Sequence, residues 1–406
     1  MMTVVAIVDT GVNLKHQDIA GHLWKNDAEI SGNGKDDDGN GAIDDVHGFD
    51  TFQSSGLSEG LANNGDPNGH GTHVAGIVTS LAPKAKILPI RMLDDRGNGV
   101  LSDALFAWSY AMDQGVSVIN NSFGVVGPPP SEFAFMEEAI RIGQKKNGVV
   151  FISASGNDSN DNDTIPSTPA NVPGMISVGA TSSDGSVASF SNYGSKTVDL
   201  FAPGENILSA DAFSLSERSR KSGTSQAAPM VAAFAANVLL KKPKAQPSTV
   251  EKYLLKQAKS SSQLNGKSSS GGALAGKYVL PSGSPSGVSS SRRLSRESTD
   301  PLVNYGRFVG VIDQANGMSQ QDVAGQLNCN YADDVETIEF PFDNIAVFSL
   351  GEKAQSRARI GHESKHRVFA EPWKAGNIIE DVQKSDLFET VEWDAYVSLS
   401  SSELPL

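Results

Sequence analysis

The sequence predicts an α/β fold on a mainly parallel sheet, followed by a smaller α+β module. Three observations lead there. Short β-branched runs alternate with longer apolar segments from Val4 to Ala258, an order that covers a parallel sheet with helices on both faces. Several of those runs end at Asp, Asn or Gly, where open sheets carry their functional groups. A Ser- and Gly-rich stretch then gives way to a region whose pattern reads βαββαβ, a ferredoxin-like plan.

Length and charge set the bounds. The 406 residues exceed one compact domain. Three regions are expected: 1–259 as an α/β domain, 260–301 as a flexible Ser/Gly linker, and 302–406 as the second module. The formal charge is −14, from 47 Asp and Glu against 33 Lys and Arg. That balance argues against a nucleic-acid partner and for an acidic surface able to load calcium. No run has the length of a membrane span. The single cysteine, Cys329, excludes an internal disulfide.

Val4 to Val8 opens the sheet as a buried strand and ends at Asp9-Thr10-Gly11. Asp9 has two readings, a functional carboxylate at a strand end or a turn former before glycine. Next comes an acidic loop, Gly32 to Asp45, containing Asp36-Asp37-Asp38-Gly39-Asn40-Gly41. Oxygen ligands at alternate positions match the first half of a calcium loop, without its terminal bidentate Glu. Asp36, Asp38, Asn40, the Ala42 carbonyl and Asp44 or Asp45 are the candidate ligands. The other reading is a solvated acidic turn, although clustered carboxylates without a cation repel one another.

His70 and His73, flanked by small residues, open an apolar helix. A histidine at such a start can reach across a cleft, and its pKa near neutrality suits a general base. The pair also has metal-site spacing, but the Glu of a zinc-protease helix is missing; His73 is read as structural. Strand and helix then alternate: Ala85–Met92 (strand), 101–114 (helix, with Gly115 after it), Val116–Ser122 (strand), Ser131–Lys146 (helix), Val149–Ser153 (strand), Met175–Thr181 (strand) and Ser248–Ala258 (helix). Asn157 follows the fifth of these beside Gly156. It is read either as an uncharged donor or as a left-handed turn residue. Ser222-Gly223-Thr224-Ser225 ends a loop before the apolar run Met230 to Leu240. A serine there sits at a helix N-terminus, where unpaired N–H groups favour a developing oxyanion. An ordinary helix cap is the alternative.

Four stretches stand in fixed order: Val8-Asp9-Thr10-Gly11, His70-Gly71-Thr72-His73-Val74-Ala75-Gly76, Ala154-Ser155-Gly156-Asn157 and Gly223-Thr224-Ser225-Gln226-Ala227-Ala228-Pro229. With Ser189 to Gly194 and Ala202-Pro203-Gly204, they make Val4 to Ala258 resemble the catalytic domain of the subtilisin-like serine proteases. The resemblance implies a three-layer subtilisin-like fold and a serine endopeptidase. It assigns Asp9, His70 and Ser225 to a catalytic triad and Asn157 to the oxyanion hole. It implies that Gly97, Asn98 and Gly99, with Ser122, Phe123 and Gly124, flank an extended protein or peptide substrate. It places Ala154, Ser155, Gly156, Thr168, Pro169 and Ala170 around the first specificity pocket. Small residues there leave room for Leu, Phe, Tyr or Met before the scissile bond. Gln226 and Met230 depart from the family's usual Met and His, and the segment between Gly76 and Leu81-Ala82-Pro83 is short for a family calcium loop.

The second module, closing on Glu389-Thr390-Val391-Glu392-Trp393-Asp394, is similar to the subtilase propeptides, which act as folding helpers and inhibitors. Gly351 to Gly376 is a long basic insertion that departs from them, and an unrelated α+β module is the other reading. The resemblance implies a cis partner for the cleft, with the tail Ser400 to Leu406 lying in it like a product, or a remnant of a tandem gene. A latent, self-inhibited binding protein is the alternative function. The family implies a secreted or secretory location, although Met1-Met2-Thr3 runs straight into the first strand with no export signal before it.

Overall fold

The computed structural model describes residues 2–57, 65–127, 133–274, 303–312, 319–321, 323–324, 335–342, 345–350 and 388–398. The chain enters through β1 (Val4–Asp9), buried along its whole length. Two short strands, β2 (Phe49–Asp50) and β3 (Ser55–Gly56), close the long excursion that carries the acidic loop. Helix α1 (His70–Leu81) leads to β4 (Lys86–Arg91), and β5 (Asn98–Val100) runs directly into α2 (Leu101–Asp113). Then come β6 (Val118–Asn121), β7 (Val125–Val126), α3 (Ala134–Ile142), β8 (Val150–Ala154), β9 (Ser167–Thr168) and β10 (Met175–Thr181). The remainder is β11 (Leu200–Pro203), the hairpin β12 (Ile207–Ala210) and β13 (Arg218–Lys221), α4 (Thr224–Lys241) and α5 (Pro247–Gln257). Two short strands follow, β14 (Ala258–Ser260) and β15 (Gly272–Leu274).

The main sheet runs β14-β15-β11-β10-β8-β6-β1-β4-β2-β3. Every pairing from β15 to β2 is parallel, and only the edge pairs β14/β15 and β2/β3 are antiparallel. One apolar cluster, including Trp108, Phe135, Phe151 and Leu88, fills the face under α2 and α3. A second, including Val74, Ile77, Ile152 and Val231, fills the face under α1 and α4. The predicted three-layer α/β fold is therefore present. Strand order turns around β1, which pairs with β4 on one side and β6 on the other. Strand C-terminal ends at such a reversal leave a crevice. Asp9 closes β1, Ser122 follows β6, and Asn157 follows β8 by three residues.

Two expectations need correction. The helix expected over 131–146 is α-helical only from Ala134 to Ile142 and widens into a π turn over Gly143–Asn147; Ser131 lies outside the described residues. The linker expected from 260 does not begin there, and residues 275–301 lie outside the described residues. Residues 258–274 form β14 and β15, with Leu264 and Leu274 each 2% exposed. Ser- and Gly-rich sequence here forms the long connection of an antiparallel strand pair anchored by two buried leucines, which composition alone does not separate from a linker.

The second module supplies β16 (Val303–Ile312), β17 (Val335–Phe342), β18 (Ile345–Leu350) and β19 (Phe388–Ser398). Their order is β17-β18-β16-β19, antiparallel throughout, which is the strand order of a split βαβ plan. Helical residues occur at 320–321 and 323–324. The second helix of the expected βαββαβ pattern, read over 377–385, the insertion 351–376 and the tail 400–406 lie outside the described residues. Ile345 and Val347 are buried in the cluster that holds α2 and α3. Strand β19 continues the module's sheet onto the α/β region, pairing antiparallel with β5 as Tyr396 to Val100, Val397 to Gly99 and Ser398 to Asn98. Among the described residues, no helix is long and apolar enough to cross a membrane.

Candidate active site

Asp9 and His70 meet although 61 positions separate them. His70 Nδ1 lies 2.7 Å from Asp9 Oδ1, and both side chains are fully buried. Parallel β1 delivers the carboxylate and the first residue of α1 delivers the imidazole. Close approach of the two elements requires Gly71: a Cβ there would stand 2.1 Å from the Gly11 carbonyl oxygen and 3.0 Å from Asp9 Cβ. The Thr10 N–H also donates to Asp9 Oδ1 at 2.7 Å. In the neutral ring, an Nδ1–H donating to this carboxylate leaves Nε2 as the acceptor nitrogen.

Ser225 lies in the first turn of α4, two residues after the Gly223 cap. The predicted helix therefore starts earlier than the apolar run, at Thr224. Ser225 Oγ donates to the Ser122 carbonyl at 3.2 Å, and Ser122 Oγ donates back to the Ser225 carbonyl at 3.2 Å. Asn157 Oδ1 accepts from the Thr224 N–H at 2.7 Å and from Thr224 Oγ1 at 2.9 Å. These two donors orient the amide, so that its Nδ2 turns the other way. A Cβ on Gly223 would sit 3.3 Å from Asn157 Nδ2 and 3.6 Å from the Ser225 nitrogen. Glycine thus keeps open the point that both nitrogens border.

A pocket opens beside Ser225. Of the six residues expected around it, Ala154 and Gly156 line it, together with Ser122, Phe123 and Gly124 from the expected substrate edge and with Val126, Asp158, Ser167 and Thr224. Ser155, Thr168, Pro169 and Ala170, also expected there, are buried and do not line it. Ser155 Oγ donates to the Asn192 carbonyl at 3.2 Å, and Thr168 pairs with Val125 across β7 and β9. Gly97 precedes β5, while Asn98 and Gly99 lie within it, paired with β19. Partial burial raises the Asp158 carboxyl above its ordinary range. His73 Nε2 faces the carbonyl oxygens of Ile207 and Ser219, each at 3.1 Å. Two acceptors require a proton on that nitrogen, which removes Nε2 as a metal ligand.

The chain has counterparts among known proteins. A family model described as the subtilase family matches residues 2–275. The chain belongs to the subtilases. It is 35% identical over 255 residues to an extracellular serine proteinase of Thermus sp. (strain Rt41A), covering 61% of this chain and 53% of that protein. It is 35% identical over 242 residues to thermitase of Thermoactinomyces vulgaris, covering 57% of this chain and 72% of thermitase. The crystal structure of a cold adapted subtilisin-like serine proteinase superposes with a TM-score of 0.53 at 30% identity, over 67% of this chain and 88% of that one. This subtilase spans about half the length of the Thermus relative.

Sequence reading missed three residues around the site of this subtilase. Asp66 is fully buried and accepts four hydrogen bonds, from Thr10 Oγ1, Gly69 N, Thr72 N and Thr72 Oγ1, at 2.9, 2.8, 2.8 and 2.6 Å. Burial pushes its carboxyl pKa up, against those donors. Its position four residues before His70 is the only sequence signal. Asp158 adjoins Asn157 but carried no pattern of its own. Glu29 stands upstream of the acidic loop, outside the motif that drew attention to Asp36 and Asp38.

The expected calcium ligands divide. Asp36 and Asp38 approach Glu29. Asp36 Oδ2 accepts from Gly41 N, and Oδ1 from Gly39 N and Asn40 N. These bonds, Gly41 foremost, hold its pKa below the ordinary value. Asn40 Oδ1 accepts from Ala42 N and its Nδ2 donates to Asp45 Oδ2. Asp44 accepts from Gly32, Asn33 and Gly34 N–H groups and so closes a neighbouring turn. Asp45 accepts from Tyr110 OH at 2.5 Å, Asn26 Nδ2 and Asn40 Nδ2.

Proposed function

We propose that this chain is a serine endopeptidase that hydrolyses peptide bonds through an acyl-enzyme. The carrying observation is the buried 2.7 Å contact of His70 Nδ1 with Asp9 Oδ1, together with Ser225 in the first turn of α4. Ser225 Oγ turns from the Ser122 carbonyl, gives its proton to His70 Nε2 and attacks the scissile carbonyl carbon. Asp9 holds the imidazole tautomer and stabilises the imidazolium. The oxyanion receives the Ser225 N–H and Asn157 Nδ2, aided by the helix dipole. His70 then protonates the departing amine, and water repeats the sequence to release the acid. The pocket of Phe123, Val126, Ala154 and Gly156 suits a large apolar side chain before the scissile bond, with Asp158 as its acidic member. A peptide library cleaved mainly after Lys or Arg would reject that preference.

The test is covalent labelling by a fluorophosphonate. Labelling of the full chain or of a chain ending at residue 299, abolished by Ser225→Ala, is the expected result; absence of labelling in both folded proteins rejects the nucleophile. Ser225→Ala or His70→Ala should lower turnover by roughly 10⁶ and Asn157→Ala by about 10²–10³, magnitudes that belong to subtilisin itself and are carried over by family. Chelation that abolished turnover without lowering the melting temperature would favour a metal hydrolase instead.

A second reading, latency, is favoured by β19. An extended strand laid antiparallel on Asn98–Val100 takes the place proposed for substrate. His70 and Ser225, 0% and 2% exposed in the full chain, fit an occupied cleft. The module then acts as a cis inhibitor or folding helper of a competent protease. An extracellular site of action is the companion proposal, resting on likeness to the Thermus protein.

A further inference from the structure

Gln226 follows Ser225 in the first turn of α4 and belongs to none of the proton transfers described above. Its side chain is 0% exposed, and among the described residues neither Oε1 nor Nε2 has a hydrogen-bond partner. A glutamine at this position of a helix ordinarily reaches back to accept the N–H of the cap residue. Here the Gly223 N–H donates to the Gly204 carbonyl at 2.8 Å instead, and the amide is left without that bond. The amide borders the space that the cap glycine keeps open. A Cβ on Gly223 would stand 2.8 Å from Gln226 Oε1, as well as 3.3 Å from Asn157 Nδ2 and 3.6 Å from the Ser225 nitrogen. We propose that Gln226 is a third donor of the oxyanion hole, giving its Nε2–H to the oxygen that Asn157 Nδ2 and the Ser225 N–H bind.

This role presupposes the proposed acyl transfer at Ser225 and adds one group to it. A buried amide with both ends unpaired lowers stability, and a part in the chemistry is a reason for keeping it. Oε1 and Nε2 exchange by a half-turn about the last side-chain bond, a broad two-fold torsion. Because neither atom is held, that half-turn breaks no hydrogen bond and brings Nε2–H to the point that Oε1 borders. The substrate carbonyl oxygen gains charge as Ser225 Oγ adds to the carbon, and the amide then presents its donor to it. An uncharged donor suits a buried site, since its bond strengthens as the charge develops and it needs no counter-ion. The Thr224 hydroxyl, the other polar group of this turn, already donates to Asn157 Oδ1 at 2.9 Å. A methionine, the family's usual residue here, has no proton to donate. The position that departs from the family pattern is therefore the one that adds the bond.

The test compares Gln226→Leu with the parent, both as the full chain, by the rate of fluorophosphonate labelling and by thermal melting. In labelling, Ser225 Oγ bonds to phosphorus, fluoride leaves, and the phosphonyl oxygen takes the place of the oxyanion. Any cover that the second module gives the cleft is common to both proteins, so the ratio of their rates reads the hole. Leucine should slow labelling about 10-fold, less than the loss of an established donor, and should melt no lower than the parent, because an unpaired polar group is removed. Gln226→Glu places a carboxyl at the same point, a donor when protonated and an acceptor only when ionised. Its labelling rate should fall progressively below the parent's as pH rises, and this variant decides the matter if the leucine variant does not fold. Equal labelling of parent and leucine variant, slower labelling accompanied by lower melting, or a glutamate variant that tracks the parent at every pH would overturn the assignment. No labelling of the folded parent, even on prolonged exposure, would reject the acyl-transfer reading itself and this role with it.

Discussion

Pro229 stands one helical turn after Ser225 and lacks the N–H that would bind the Ser225 carbonyl. Ser122 Oγ donates to that carbonyl instead, at 3.2 Å. The residue that follows β6, beside the cleft, therefore completes the helix that carries Ser225. Ser122→Ala should lower stability by about 1–3 kcal/mol, the usual penalty of a buried acceptor left unpaired. In a Pro229→Ala background, where residue 229 regains its N–H, the same change should matter less. Equal effects of Ser122→Ala in both backgrounds, by denaturant melts, would separate the two residues.

Asp66 joins the loop behind Asp9 to the start of the His70 helix, through Thr10 on one oxygen and Thr72 on the other. Thr10 Oγ1 in turn accepts from Gly71 N at 3.0 Å. Asp66→Asn replaces an acceptor by a donor and leaves part of this clamp unpaired. Turnover should fall on the order of 10²-fold with KM little changed, since displacement of a catalytic group by about 1 Å has that effect. Steady-state kinetics check this. A lower melting temperature with unchanged kcat would make Asp66 purely structural.

Asp199 provides a pH prediction. Burial, aided by Glu251, raises its carboxyl to about 7, against the Ser177 N–H that donates to it at 2.8 Å. A folded pKa above the unfolded value near 4 means the native state holds this proton more tightly. Its contribution to stability is full below about pH 4 and is lost as pH rises through about 7. Asp199→Asn has no such proton, so the melting temperature of the parent, relative to the variant, should fall between about pH 5 and 8. Parallel curves across that window would reject the shifted group.

The chain ending at residue 299 tests the β19 contact. Freed of the module, it should cleave casein and short peptides faster, and the isolated module added in trans should slow it again. Unchanged peptidase rate and folding yield would leave β19 without a regulatory role.

Much of this was legible in the residues. Buried β-branched runs and 3.6-residue periodicity located the strands Met175–Thr181 and Val4–Asp9 and the helix at Leu101 within a residue or two, because burial on both sheet faces leaves only apolar sequence. The start of α4 was legible too, since Ser225, read as a helix-start serine, lies in its first turn after the Gly223 cap. Residues 258–274 were misread because serine-rich hairpins and linkers share a composition.

Sequence alone determined the chemical types and their order: an acid at a strand end, a histidine and a serine at helix starts, and an acidic loop upstream. Those follow from local patterning, which a linear chain displays directly. Tertiary structure alone decided which groups meet. Glu29 rather than Asp44 faces Asp36 and Asp38, Asp66 underlies His70, and β19 reaches Asn98–Val100 from nearly 300 residues away. Such contacts depend on strand order and on which oxygen a buried donor leaves unpaired, and neither is encoded in spacing along the chain.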